Sequence, residues 1–261
     1  MPVVWPPERS FGILDGGRRG ARLVVGVEGG WSRRELSRIA GVSPLHGRAH
    51  LPSDGGLAPR RIDRVTGLTD VESAFGYGDS ILVGKLVRLR GLREDDLLTL
   101  ARWEMDPGRM ATSSNWVVPP SETAAKERVA KWCANDKDDL GFAIETVDDP
   151  PVLVGSIGLW GARPKDRCAT IGISLGREHT GHGYGTDAMR VIVDYAFREM
   201  GLHRIQLQVA PFNQAGIRAY EKAGFVEEGR HRASVWHDGQ WYDEVLMSVL
   251  DQEWAARRPG S

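Results

Sequence analysis

Residues 81–255 predict a mixed α/β (α+β) domain, with a central mixed, mostly antiparallel sheet flanked by helices. Three observations predict it. Strand-like apolar runs recur along the segment, stretches with helical apolar spacing interrupt them, and one strand leads through a glycine-rich loop directly into a helix. Residues 1–80 predict an irregular N-terminal extension, and residues 256–261 a short tail.

The elements follow in order. Lys85 to Arg90 is short and β-rich. Asp95 or Asp96 is placed to cap a helix running through Leu97, Leu100 and Ala101. Ser121 is placed to cap a second, with Ala125, Val129, Trp132 and Cys133 on one face. Gly141 to Val147 and Val152 to Trp160 read as strands joined by the turn-forming Asp148-Asp149-Pro150-Pro151. A strand from Ala169 to Leu175 precedes the glycine loop, and the helix after it carries Ala188, Val191, Ile192 and Tyr195 on its apolar face. His203 to Val209 alternates, with Ile205, Leu207 and Val209 facing one way and Arg204, Gln206 and Gln208 the other. A helix spans Asn213 to Ala223 with Gly224 as its C′ residue, and Glu244 to Leu250 is the last strand.

The extension differs in composition. Residues 1–80 hold 14 of the 32 glycines and 11 arginines against nine acids, with no lysine, so they are neither periodic nor polycationic. Trp31 to Ser43 looks like the first helix and turn of a helix-turn-helix. Pro44 and Gly47 then fall where a recognition helix would run, which argues against DNA binding.

Composition excludes other classes. Lys+Arg is 34 and Asp+Glu is 35 in 261 residues, a net charge of −1, which argues against a dedicated nucleic-acid binder. No run approaches the roughly 18 apolar residues of a membrane span, and the first residues do not read as a signal peptide. Cys133 and Cys168 lack further partners at ligand spacing, so no metal site is expected, and two free thiols suit a cytoplasmic protein.

The chemistry-bearing signals are two. Thr180-Gly181-His182-Gly183-Tyr184-Gly185-Thr186 lies between a strand and a helix. Its alternate glycines let backbone N–H groups converge on an anion, and the helix N-terminus adds its positive dipole end. The loop has no Lys-Ser/Thr ending and no acid closes the next strand, so it is neither a Walker loop nor a dinucleotide fingerprint. Asn213-Gln-Ala-Gly-Ile-Arg-Ala-Tyr220, ending in Gly224-Phe225, is the second.

Together these elements resemble the GCN5-related N-acetyltransferase (GNAT) family, in particular its ribosomal-protein and spermidine N-acetyltransferase branch. Val83-Gly-Lys-Leu-Val-Arg-Leu-Arg90, Asp106-Pro107 and Asp238-Gly-Gln-Trp-Tyr-Asp243 extend the resemblance over about residues 81–254. It implies an N-acetyltransferase that moves the acetyl group of acetyl-CoA to a primary amine by direct attack in a ternary complex. The acceptor would be a small-molecule or peptide amine: a protein N-terminus, a polyamine or a metabolite. An edge-to-edge homodimer is common in that branch. The alternative is a non-catalytic acyl-CoA-binding or regulatory module.

Residue by residue, the resemblance implies that the backbone of Thr180, Gly181, His182, Gly183, Tyr184, Gly185 and Thr186 holds the CoA pyrophosphate. Thr180 stands where the family usually has Gln or Arg, which loses a side-chain donor. The strand near Ile171 and Ile173 splays from its neighbour, pairs with the pantetheine arm and polarises the thioester carbonyl. Asn213 contacts the cofactor, a role compatible with a plain helix N-cap. Tyr220 protonates the leaving thiolate, suitable chemistry for a phenol with a pKa of about 10. No general base is assigned: Gln208 stands where some relatives have glutamate, leaving Glu104, Asp106, Glu145, Glu178, His179 and His182 as candidates. The early helices and last hairpin, which build the family's acceptor pocket, supply Trp103, Trp116, Trp160, Trp236, Trp241 and Tyr242 here.

Overall fold

The computed structural model describes residues 68–113, 116–135 and 139–257, all within the unit Asp63–Ser261. The segment resembling half a helix-turn-helix, Trp31 to Ser43, lies outside the described residues, as does the tail from 258 onward. In chain order the elements are α1 (Val71–Ser80), β1 (Val87–Arg90), α2 (Asp96–Glu104), α3 (Pro107–Met110), α4 (Glu122–Trp132), β2 (Leu140–Thr146), β3 (Leu153–Arg163) and β4 (Cys168–Leu175). A short 3-10 turn at Arg177–His179 leads to α5 (Tyr184–Arg198), then β5 (Arg204–Val209), α6 (Gln214–Ala223), β6 (Val226–His237), β7 (Gln240–Leu250) and α7 (Asp251–Ala256).

The strands form one mixed sheet in the order β1-β2-β3-β4-β5-β7-β6. Every neighbouring pair is antiparallel except β4 and β5. The apolar stripe of α5 explains the core. Ala188, Val191 and Ile192 recur at helical spacing and are buried with Met189, Val193, Ala196 and Phe197. They join Val87, Ile144, Ile157, Ile171 and Ile205 of the sheet in one hydrophobic cluster. Burial of a side chain such as Ile192 or Ile157 contributes about 1.5–3 kcal/mol. No described helix is long and apolar enough to cross a membrane.

Parallel pairing of β4 and β5 covers Cys168–Arg204, Ala169–Ile205 and Thr170–Gln206 and then stops. Beyond it, β4 stays paired to β3 through Leu175, and β5 to β7 through Val209. The sheet therefore forks after Thr170. Gly176 N–H donates to Val154 O at 3.1 Å, and Ser174 O faces Gly155. Backbone groups of an antiparallel ladder alternate in direction, so Ile171, Ile173 and Leu175 aim theirs away from β3 and into the fork.

Four expectations need correction. Val71–Ser80 is helical although the sequence reads as irregular there: Asp70 and Ser73 form a reciprocal capping box, with N–H to oxygen distances of 2.8 and 3.0 Å. Tyr77 fastens this helix to α5, donating to the Glu199 carboxylate while Arg198 stands 4.6 Å over its ring. Those contacts offset the cost of Gly76 and Gly78. Neither Asp95 nor Asp96 caps α2. Asp95 makes no side-chain cap bond, and Asp96 turns back to accept Arg93 N–H and two N–H groups of Arg90 at 2.6 and 3.0 Å. Strand β6 escapes the sequence because only Val235 along it is buried and two irregularities break its register. Strand β7 starts at Gln240, ahead of the expected Glu244.

Other local expectations hold. Ser121 Oγ accepts Ala124 N–H at 3.2 Å, Asn213 Oδ1 accepts Gly216 N–H at 3.0 Å, and Gly224 ends α6 in the left-handed region at φ 109°.

Candidate active site

The glycine loop turns where its sequence allows. Gly181 and Gly183 take φ values of 83° and 88°, and Gly183 is the N-cap of α5. A side chain there would strain a left-handed backbone, which is why glycine recurs. The loop opens onto a groove of about 720 Å³ lined by Thr180, Gly181, Gly183, Gly185 and Thr186 on one side and by Asn213, Gly216 and Tyr220 of α6 on the other. Ile173 and Leu175 form its floor at the fork, so the two sequence signals meet across one groove. His182 and Tyr184 are not among its lining residues; their rings stack on each other, 5.6 Å apart and 18° from parallel. Ile171 is core: 3% exposed, it reaches the fork through its backbone only.

Thr180 Oγ1 donates to Arg177 O at 2.8 Å, which spends the hydroxyl hydrogen inside the loop. Three cations absent from the sequence-based site, Arg177, Arg218 and Lys222, line the groove instead. Nothing local marks them: surface arginines and lysines become a site only when α6 is laid beside the loop.

Tyr220 packs against Phe225, ring centroids 6.3 Å apart. Burial raises its phenol above the usual value of 10.0, which keeps the proton on the ring oxygen. Among the described residues that oxygen has no hydrogen-bond partner.

A second cleft of about 920 Å³ lies between the early helices and the sheet, lined by Glu104, Arg109, Trp116, Arg128, Trp132 and Gly172 among others. Arg109, Ile173 and Ser174 line both cavities, so the two meet at the end of β4. Arg109 is fixed from three sides. Its Nε donates to Trp103 O at 2.7 Å, Nη1 to Ser174 Oγ at 2.7 Å and Nη2 to Glu104 Oε1 at 2.6 Å.

Of the aromatic residues expected around an acceptor, Trp116 lines the cleft. Trp132, read from sequence only as part of a helix face, lines it as well. Trp160 packs against Trp132, centroids 5.0 Å apart, over a bare patch of sheet where Gly158 and Gly172 face each other in register. Trp103 packs on Gly176 and donates to Glu178 at 3.1 Å, while Trp236 and Trp241 pair with each other on the last hairpin.

The base candidates separate cleanly. Glu145 is itself buried and bonded to Arg88, Arg90 and Arg93 at 2.8, 2.6 and 3.0 Å. Asp106 caps α3 through Gly108 N–H, Glu178 accepts from Trp103, and His179 sets its ring edgewise to Trp103. Glu104 is the one of the six that lines the second cleft.

A forked sheet with a glycine-cradled groove opening into a second cleft defines a two-substrate group-transfer enzyme. The profile of the acetyltransferase (GNAT) domain matches residues 87–226, more than half of the chain, and the protein belongs to that family. It is an N-acetyltransferase, transferring an acetyl group to an amine. It is 37% identical over 132 residues to Probable N-acetyltransferase YjcK of Bacillus subtilis, covering 50% of this chain and 70% of that protein. It is 28% identical to the spermidine N(1)-acetyltransferase of Vibrio cholerae, over 65% of this chain and 95% of that one. The crystal structure of a Vibrio cholerae spermidine N-acetyltransferase in complex with CoA and spermine superposes with a TM-score of 0.58 at 25% identity, over 65% and 98% of the two chains.

Proposed function

We propose that acetyl-CoA lies in the glycine-loop groove, that a primary amine enters the second cleft, and that the amine attacks the thioester directly where the two meet. The shared lining by Arg109, Ile173 and Ser174 carries this reading, because it sets donor and acceptor side by side at the end of β4. The groove suits the donor. The N-terminus of the 15-residue α5 offers backbone N–H groups, and Arg177, Arg218 and Lys222 supply positive charge for phosphates. Arg177 takes over from the spent Thr180 hydroxyl.

Acetyl-CoA supplies an acetyl group activated as a thioester. The protein's residues do the rest. Backbone N–H groups of β4 in the fork, at Ile173, stabilise charge gathering on the carbonyl oxygen. The amine nitrogen bonds to the carbonyl carbon, the carbon–sulfur bond breaks, and Tyr220 gives its proton to the departing sulfur. Glu104, turned into the acceptor cleft and kept in place by Arg109, attracts the ammonium and receives the proton it sheds. Asn213 holds the N-terminus of α6, and so sets where Tyr220 stands.

Mass spectrometry of protein, acetyl-CoA and a mixed pool of amino acids, polyamines, aminoglycosides and peptides tests this. One member gaining an acetyl group supports it. Binding of acetyl-CoA with no product from any amine overturns it.

A further inference from the structure

We infer that the preferred acceptor is an amine that also carries a carboxylate, and that Arg128 receives the carboxylate; this rests on the donor–acceptor arrangement proposed above. Three charged side chains are found among the described residues lining the acceptor cleft: Glu104, Arg109 and Arg128. Glu104 and Arg109 are bonded to each other, so their charges offset. Arg128, on the exposed side of α4 and one turn before Trp132, makes no hydrogen bond or ion pair with any described residue. Among the described residues the cleft therefore presents one uncompensated positive charge at its α4 wall.

A ligand gains most by matching that pattern. Arg109 bonds one carboxylate oxygen of Glu104; an ammonium finds the other, beside the point where the two cavities meet. An anionic group on the same molecule finds Arg128, which guanidinium geometry suits for bidentate carboxylate binding. A polyamine brings a second and third cation into a cleft that already carries a surplus one. Like-charge juxtaposition there works as discrimination against it. Trp116 and Trp132 between them offer apolar surface for the spacer. The likeness to spermidine acetyltransferases is one of fold, while this wall of the acceptor cleft selects a different class of amine.

Aminohexanoate, hexylamine and diaminohexane present the same attacking amine with an anionic, neutral or cationic far end. Phenylalanine and phenethylamine repeat the comparison with the carboxylate beside the amine. In one of these sets the carboxylate-bearing member is expected to have the highest kcat/KM, by about ten-fold, an advantage that shrinks as salt screens the pair. Arg128→Glu is expected to reverse the order of aminohexanoate and diaminohexane with the KM for acetyl-CoA unchanged, and Arg128→Lys to keep the original order. Arg128 is exposed, and matching thermal unfolding midpoints will show that the variants fold. Diaminohexane or spermidine as the best substrate of the unmodified enzyme, or an unchanged order in Arg128→Glu, overturns the inference and leaves amine acetylation standing. No transfer to any member overturns both.

Discussion

Arg109 Nη1 donates to Ser174 Oγ across 2.7 Å, tying helix α3 to the stretch of β4 that has parted from β5. One guanidinium thus spans the donor groove and the acceptor cleft, and its other two bonds, to Trp103 O and Glu104, fix the acceptor wall. Its removal frees all three partners at once. Arg109→Ala is expected to lower kcat/KM for both substrates by about ten-fold or more, and Arg109→Lys to restore little, since an ammonium cannot reproduce the planar fork. Steady-state kinetics with each substrate varied in turn will show it. A change confined to the acceptor KM would mean that Arg109 shapes one cavity only.

Tyr220→Phe keeps the packing against Phe225 and deletes the proposed proton donor. Turnover is expected to fall about ten-fold or more, with little change in acetyl-CoA affinity. Burial raises the phenol above 10.0. The protonated, active form therefore persists through neutral pH, and any loss of kcat from Tyr220 ionisation has its midpoint above pH 10.0. A pH–rate profile checks the limb, and an alkaline fall well below that value would point to another group.

Gly183→Ala tests the anion cradle. At φ 88° a Cβ costs about 1 kcal/mol or more, and it would stand 3.2 Å from Leu86 Cδ1. The expected outcome is a weaker Kd for acetyl-CoA with the acceptor KM unchanged, read by calorimetric titration. Gly161→Ala also sits at positive φ, 64°, but away from both cavities; it serves as the control that shifts stability alone.

The buried carboxylates Glu145 and Asp96, clustered with Arg88, Arg90 and Arg93, predict acid sensitivity. Burial by itself would raise both carboxyls, yet bonds from Arg90 and Arg88 to Glu145, and from Arg90 and Arg93 to Asp96, hold them below their ordinary values of 4.5 and 3.8. A folded-state pKa below the unfolded one means stability that is complete above about pH 4.5 and is lost as pH falls through the lowered values. Thermal unfolding across that window should show the loss. Glu145→Gln should remove much of the pH dependence and cost about 1–3 kcal/mol, because it takes away the carboxylate that three guanidinium groups share while Arg90 keeps its two bonds to Asp96. A midpoint unchanged by the substitution would assign the acid sensitivity elsewhere.

Sequence alone determined whatever depends on local backbone chemistry. The apolar period of α5, the alternation of β5, the Ser121 and Asn213 caps and the glycines that open the anion loop all follow from residues within a few positions of one another. Helix α1 and strand β6 were not legible, because α1 is held by Tyr77 on Glu199 and β6 by pairing to β7, partners that no local pattern names. The same division runs through the site. The glycine pattern pointed to Gly183, and the resemblance carried by a contiguous motif pointed to Asn213 and Tyr220. Only the tertiary structure decided that Arg109 would line two cavities, that Glu104 would line the second cleft while Glu145 was bound by three arginines, and that Arg128 would have no partner among the described residues. A charged side chain is an ion pair, a surface group or a binding site according to what stands within a few ångströms, and only the fold sets those distances.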